Sequence, residues 1–514
     1  MNEDKKTMAK GAMFVFAGII ISKPLTYLWR IFIARYIGQE AYGIFSIALA
    51  LLGFATVFSV MGFSDGLIRY TSFYQAKQKY ADVKGILISV FSVNLISTSL
   101  ISGLLIVFAP FFAKNFFHNS NVVGPIYIVA VSLPFFVFGN HFLNLLKTQM
   151  RIDYIALIQS IIESIVKIIA TIVFFYIGYI VLAPILGYLI ALFGTFILAG
   201  YFLFFKTRYG RIFKEKAKYH WKELFYYSLP LMFVGFLASF IMYTDTLMLG
   251  YFTDNVQTGI YNAALPTASM LSIMLTAFSS LFFPLFVEKY SKKQYTHMNM
   301  LYTLIVKWIY LSVLPLLFVF IFFSDIILNV LFGPAYVGGA KALSILAIGF
   351  FIYNVTGPTH EVLMTLKKQN LIFMIMASGS ILNIMLNYLL IPIYGMNGAG
   401  TATSVSLIYI NIFSLFFAYR YLKIFPFTFN QLKGFITTAL AFITTYLIVK
   451  MIFPVTPLFI LILALITYMI IYFLIMVKLK IIDKEDLKLL KALEEKTGIK
   501  LNFLEKLVRK ICNI

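Results

Sequence analysis

Residues 42–49, YGIFSIAL, return at 258–265 as TGIYNAAL. Gly43 falls on Gly259, Ile44 on Ile260, Phe45 on Tyr261, Ala48 on Ala264 and Leu49 on Leu265. A second echo, LKTQ at 146–149 against LKKQ at 366–369, puts Ser160 on Ser380. Similar stretches recurring in the same order mark a duplicated unit. The surrounding composition says what kind of unit it is. The chain is 61% hydrophobic and 12% charged, where a soluble protein keeps about a quarter of its residues charged. Apolar runs near membrane-spanning length recur from end to end, and such runs must be helical to satisfy their own backbone. The short alternating segments of a barrel are absent. The fold class is therefore an all-α polytopic membrane protein with about fourteen transmembrane helices. They are expected over 10–37, 41–62, 84–112, 122–147, 153–177, 180–205, 223–250, 256–287, 297–323, 341–366, 370–392, 397–422, 431–452 and 455–477.

The duplication divides these spans. Helices 1–6 repeat as helices 7–12, in the same orientation because six is even. The expected organisation is an N-lobe over 1–205, a basic cytoplasmic linker over 206–222, a C-lobe over 223–423, two added helices over 424–477, and a cytoplasmic amphipathic tail over 478–514. Two parallel lobes with substrate between them are a common transporter plan. The net charge of +22 follows the topology. Nearly all Lys and Arg fall on the side of the N-terminus, whereas the opposite side carries Lys114, Lys341 and Lys450. The positive-inside rule places both termini in the cytoplasm of a cell-membrane protein. The charge then needs no nucleic-acid partner. The single cysteine, Cys512, excludes an internal disulfide. The start, MNEDKKTMAK, reads as mature sequence and not as a signal peptide. The tail alternates charge with Leu and Ile and is expected to lie on anionic inner-leaflet lipid. A monomer in contact with membrane lipids is expected.

Three stretches carry a resemblance. ARYIGQEAYGIFSIALALL with MGFSDGLIRY, then DTLMLGYFTDNVQTGIYNAALP, then IPIYGMNGAGTATSVS resemble the polysaccharide-transporter branch of the MATE-like flippase superfamily. The likeness covers about residues 10–477, and it rests on the stretches in combination because each is built of common membrane residues. It implies flipping of polyprenyl- or dolichyl-linked oligosaccharide from the cytoplasmic to the outer leaflet, by alternating access between two six-helix lobes.

Ionisable groups inside spans are costly and are functional candidates by default. The repeat pairs them. With one gap, Arg30 falls on Asp245; in the 149/369 register, Glu163 falls on Asn383 and Lys167 on Asn387. The first half is thus cationic and the second rich in acceptors. Lys23, Tyr27 and Arg30 are spaced i, i+4, i+7 on one helix face. Lys23, Tyr27, Arg30 and Lys167 are read as a substrate site for a head-group phosphate, which Arg can grip with two donors. Glu163, one turn before Lys167, could pair with it and limit how tightly the head group is held. The competing reading is that Arg30 and Arg35 snorkel to the interface and Lys167 only neutralises Glu163.

Asp245, Asn383, Asn387 and Thr403 reach similar depths and offer a carboxylate with amide and hydroxyl oxygens. They are read as a site for a coupling cation, sodium or a proton. The resemblance adds that a sodium site of helices 7, 11 and 12 is known in the lipid II flippase branch. There the position matching Asn387 is typically acidic, so the amide here departs from that pattern. The competing reading is that Asp245 only packs helices. His141, His360 and Glu361 fall near cytoplasmic helix ends and are read either as an inner gate or as packing. No cofactor is expected beyond the coupling ion. No metal-ligand cluster, Walker A loop or nucleophile constellation is present in the sequence, so the chain is read as a non-enzyme. Two alternatives stay open: a MATE-type cation or drug antiporter, and a membrane glycosyltransferase or polysaccharide polymerase.

Overall fold

The computed structural model describes residues 3–207, 209–212, 215–452, 458–478 and 481. The amphipathic tail lies outside the described residues, Ile481 apart. Among the described residues the regular structure is helical, without strand, as a chain with no water to satisfy its backbone requires. The first long helices are α1 (Glu3–Val60), α2 (Phe63–Ala76), α3 (Tyr80–Phe111), α4 (Val123–Thr148), α5 (Ile152–Ile177), α6 (Ala183–Lys206), α7 (Trp221–Phe252) and α8 (Asn255–Ser269). There follow α9 (Ser272–Ser291), α10 (Tyr295–Phe322), α11 (Ala340–Val355), α12 (Gln369–Tyr394), α13 (Met396–Leu422), α14 (Phe429–Ile452) and α15 (Leu458–Lys478). Among the described residues ten helices are long and apolar enough to cross a membrane, or up to twelve if each of two bent pairs is one span.

Helix boundaries explain part of the difference from the expected spans. The qualifying stretch Ser22–Val60 has 39 residues, roughly 58 Å at ~1.5 Å per residue and about twice a bilayer core. Gly38, at φ 77 and ψ 173, breaks it in two, and this break separates the expected helices 1 and 2. The expected helix 8 is broken as well: α8 and Ser272–Ser279 meet at 42°. The expected helix 10 ends at Val355, and a short turn over Thr359–Thr365 resumes after Gly357, at φ 75, and Pro358. Helix α2 fills a stretch that the spans left as connection. Its sequence, FSDGLIRYTSFYQA, is too polar for a span, yet it buries Phe63, Gly66, Leu67, Thr71 and Tyr74 on one face.

The chain forms two compact units. One comprises the residues up to Ala263 together with Ile384–Ala399; the other comprises Ala264–Asn383 and the described residues from Gly400 onward. In the first unit, α6 packs on α4 and α5, and α7 packs on α1 and α2. The basic connector is docked onto this unit. Tyr209 and Ile212 are buried in its core. Lys84 Nζ donates to Glu215 O at 2.7 Å, Lys218 N donates to Ala81 O at 3.0 Å, and His220 Nε2 lies 2.5 Å from Asp82 Oδ1. In the second unit, α10 is buried nearly all round. Tyr302 Oη donates to Thr356 O at 2.7 Å and Tyr472 Oη to Leu311 O at 2.8 Å. Lys307, buried, donates to Ile481 O at 3.3 Å.

The repeat is visible as local symmetry within the first unit. A Cβ placed on Gly43 would lie 1.8 Å from Asn255 O and 3.0 Å from Gly259 N. One placed on Gly259 would lie 1.9 Å from Gln39 O and 2.9 Å from Gly43 N. Residue 39 stands to 255 as 43 stands to 259, so the two contacts are equivalent under a local two-fold rotation. Ser46 Oγ donates to Tyr42 O at 2.8 Å, and its repeat partner Asn262 donates from Nδ2 to Thr258 O at 2.9 Å.

Candidate functional site

The cationic cluster is built by α1, α5 and α6. Arg30, half-buried on α1, faces the Tyr42 hydroxyl. It lies close enough to Lys167, Tyr188 and Tyr243 for its charge to act on them. Helix α5 is wound as a π-helix over Ala156–Ile162, directly before Glu163. Such segments re-phase the side chains that follow and are frequent at functional sites. Lys167 is 4% exposed. Its Nζ stands 4.6 Å from the ring centre of Trp29 and 5.7 Å from that of Tyr188. The Trp29 ring is locked in turn: Nε1 donates to Thr171 Oγ1 at 3.1 Å, and the ring packs edge-on against Phe45 and stacks on Tyr188.

Glu163 and Lys167 do not form the expected ion pair. Among the described residues the ion pairs within 4 Å are Arg151–Asp153, His220–Asp82 and Lys292–Glu288. Glu163 Oε2 instead accepts from Thr195 Oγ1 at 3.3 Å. The acid is anchored to α6 and the lysine to two aromatic faces, so the cation is retained without a neutralising carboxylate at contact distance. Lys23 is exposed and Tyr27 half-buried, two turns and one turn before Arg30 respectively. Arg35, further along, is exposed.

The acceptor-rich cluster divides between the units. In the first unit Asp245 is 2% exposed. Its Oδ1 accepts from Asn387 Nδ2 at 2.7 Å, and its Oδ2 accepts from Tyr261 Oη. Three helices, α7, α8 and α12, meet at this carboxylate. In the second unit Asn383 Nδ2 donates to Thr403 Oγ1 at 3.2 Å. The arrangement at Asp245 aims an amide and a hydroxyl hydrogen at its two oxygens. That donor set suits a carboxylate charge balanced by hydrogen bonds.

His141 is fully enclosed. Its Nε2 lies 2.8 Å from Asn94 Oδ1 and its Nδ1 3.4 Å from Ser64 Oγ. Asn94 Nδ2 donates to Ser59 O at 2.6 Å and Val60 O at 3.1 Å, the orphan carbonyls where α1 ends. This is a helix-end clamp, the packing role that the sequence left open beside a gate. In the second unit His360 is exposed and Glu361 half-buried near Tyr302 and Tyr353.

Sequence reasoning missed Trp29, Tyr188, Thr171, Thr195 and Tyr261. Thr171 and Thr195 were visible as lone hydroxyls in apolar spans, and Tyr261 as the hydroxylated counterpart of Phe45. Trp29 and Tyr188 carry no such mark in a chain that is 18% aromatic.

Comparison with known proteins gives the class. The chain matches the family described as Polysaccharide biosynthesis protein over residues 8–290 and belongs to it; residues 230–389 also match the MatE family. Similar relatives include an uncharacterized membrane protein of Methanocaldococcus jannaschii, 26% identical, covering 82% of this chain and 85% of that one. Another is a putative O-antigen transporter of Shigella flexneri, 21% identical, covering 73% of this chain and 89% of the relative. In fold the chain is similar to the lipid II flippase MurJ in an inward closed conformation, with TM-score 0.69 and 18% identity, over 91% of this chain and 99% of that one.

Proposed function

We propose that this protein flips a lipid-linked oligosaccharide, carried on a polyprenyl or dolichyl phosphate or diphosphate, from the cytoplasmic to the outer leaflet of the cell membrane. It works as a monomer by alternating access, with both termini cytoplasmic and without covalent chemistry. The observation that carries the reading is Arg30 and Lys167, two cations inside the membrane region within electrostatic reach of each other, with one carboxylate, Glu163, that acts on Lys167 without touching it and accepts from Thr195. Each intramembrane cation costs about 2.5–3.5 kcal/mol to insert on translocon scales, and the repulsion Arg30 exerts on Lys167 is set against the larger attraction of the single carboxylate Glu163. An anion offsets both costs. The planar guanidinium can bind two phosphate oxygens while the ammonium takes a third. Lys23 and Tyr27 extend this face by two turns, and Glu163, one turn from Lys167, offers competition that lets the head group leave. We assign ion coupling, to sodium or a proton, to the buried carboxylate of Asp245.

The MatE match and the buried Asp245 support a second reading, export of a cationic compound in exchange for protons. Deletion of the gene in its host, followed by mass spectrometry of surface glycans and lipid-linked precursors, separates the two. Lost surface glycan with accumulated precursor, rescued by wild type and not by Arg30→Ala, is the expected outcome. Unchanged glycans with altered sensitivity to cationic drugs would establish the antiporter instead.

A further inference from the structure

The repeat offers an internal control for the cationic site. The second-half counterparts of Arg30 and Lys167 are Asp245 and Asn387. Those two touch, Asn387 Nδ2 to Asp245 Oδ1 at 2.7 Å. The scaffold can therefore bring this pair of positions within one hydrogen bond. In the first half both positions are cationic and within electrostatic reach, and Glu163 acts on Lys167 more strongly than Arg30 does. Lys167 lies instead over Trp29 at 4.6 Å, with Tyr188 beyond. Trp29 is 3% exposed, and Thr171 fixes its ring; the Thr171 hydroxyl in turn donates to Lys167 O at 2.7 Å. The Thr171 hydroxyl thus ties the Trp29 ring to the backbone of Lys167, and the ammonium itself is met by the aromatic faces.

We infer that Trp29 is a positioning residue for transport: its ring holds Lys167 back from Arg30 in the empty protein, and a phosphate or diphosphate head group draws the ammonium off the ring to bridge the two cations. The head group supplies the negative oxygen that the second half supplies from Asp245. When it departs, attraction to Glu163 and to the indole face, with repulsion from Arg30, returns Lys167 to rest. The cation–π contact thereby weakens substrate binding and speeds release. This rests on the flippase reading and goes beyond it by assigning a task to a residue that touches no substrate.

The test uses the full chain in nanodiscs with Trp29 as the reporter, the other two tryptophans, Trp221 and Trp308, being changed to Phe. The probes are undecaprenyl diphosphate and undecaprenol, with binding measured separately by native mass spectrometry. Diphosphate lipid is expected to change Trp29 emission, undecaprenol to leave it unchanged, and Lys167→Gln to abolish the change. In transport, Trp29→Leu is expected to lower KM and kcat together, each about fivefold, the size of a desolvated cation–π contact of about 1 kcal/mol. Trp29→Phe, which keeps a weaker ring, should fall between. A packing role would lower kcat without lowering KM. Diphosphate lipid that binds while Trp29 emission stays constant would overturn the positioning role and leave the flippase reading standing. Failure of diphosphate lipid to bind at all would overturn both.

Discussion

Asn94 and Arg30 are both polar residues in apolar helices, and their surroundings give them opposite tasks. Asn94 spends its amide on the Ser59 and Val60 carbonyls and its oxygen on His141. Replacing it with Ala leaves Ser59 O to Ser97 Oγ at 2.5 Å and removes the partner from Val60 O and from His141 Nε2, at about 1–3 kcal/mol for each unsatisfied group. Asn94→Ala is expected to lower the unfolding temperature in detergent while transport per folded molecule is kept; lost transport at unchanged stability would contradict the clamp. Arg30 faces a hydroxyl and a second cation, and its removal should act the other way. Arg30→Gln is expected to leave the melting curve unchanged and to reduce transport about 10- to 100-fold, the worth of one charged hydrogen bond of about 1.5–3 kcal/mol. Arg30→Lys, which keeps the charge without the fork, should retain part of it. A drop in stability as large as that of Asn94→Ala would reassign Arg30 to packing. Both residues were visible in the sequence as polar intrusions. Their tasks were not, because the partners of each come from other helices: Ser59 from α1 and His141 from α4 for Asn94, Lys167 from α5 for Arg30.

At the scale of elements, apolar length fixes the spans, and their ends and breaks depend on glycine. Gly38 and Gly43 sit five residues apart and test two different causes. Gly38 holds φ 77 and ψ 173 with nothing within 4 Å of a would-be Cβ. Gly38→Ala therefore adds backbone strain alone, about 1–3 kcal/mol. At Gly43 and Gly259 a Cβ would meet a carbonyl oxygen at 1.8 and 1.9 Å, and no side-chain rotation relieves a clash with backbone. Gly43→Ala and Gly259→Ala are each expected to destabilise more than Gly38→Ala. Because both push the same two segments apart, the double substitution should cost less than the two singles added. Calorimetry of the purified variants checks the order, and strict additivity would mean that the two glycines do not share one contact. The pairing of Gly43 with Gly259 was readable from the repeat, since both fall at the same place in YGIFSIAL and TGIYNAAL. That they touch was not, because an alignment states equivalence and says nothing of proximity. Helix α2 was hidden for a different reason: Asp65, Arg69 and Gln75 dilute a membrane-span signal even though Phe63, Leu67 and Tyr74 keep a helical face.

For the whole molecule, the asymmetry of Lys and Arg is the strongest signal in the chain. Charges near the ends of short loops resist translocation, and each basic residue beside an anionic leaflet contributes about 1 kcal/mol. The cationic connector is docked where it is described: its backbone is pinned at Lys218 and an acid–base contact is made at His220, so Lys218 and its neighbours start from a fixed backbone. The prediction is an orientation with that connector, and both termini, on the cytoplasmic side. The chain carries its own probe, since Cys512 is its single cysteine. A membrane-impermeant maleimide is expected to leave Cys512 unlabelled in intact cells and to label it once the membrane is opened. With Cys512 changed to Ser, Asn119→Cys should show the reverse, because residue 119 lies in the connection between α3 and α4, at the opposite membrane face. Labelling of Cys512 in intact cells would invert the molecule. The docked connector would then face outward, and the direction of head-group transfer from cytoplasmic to outer leaflet would lose its electrostatic basis.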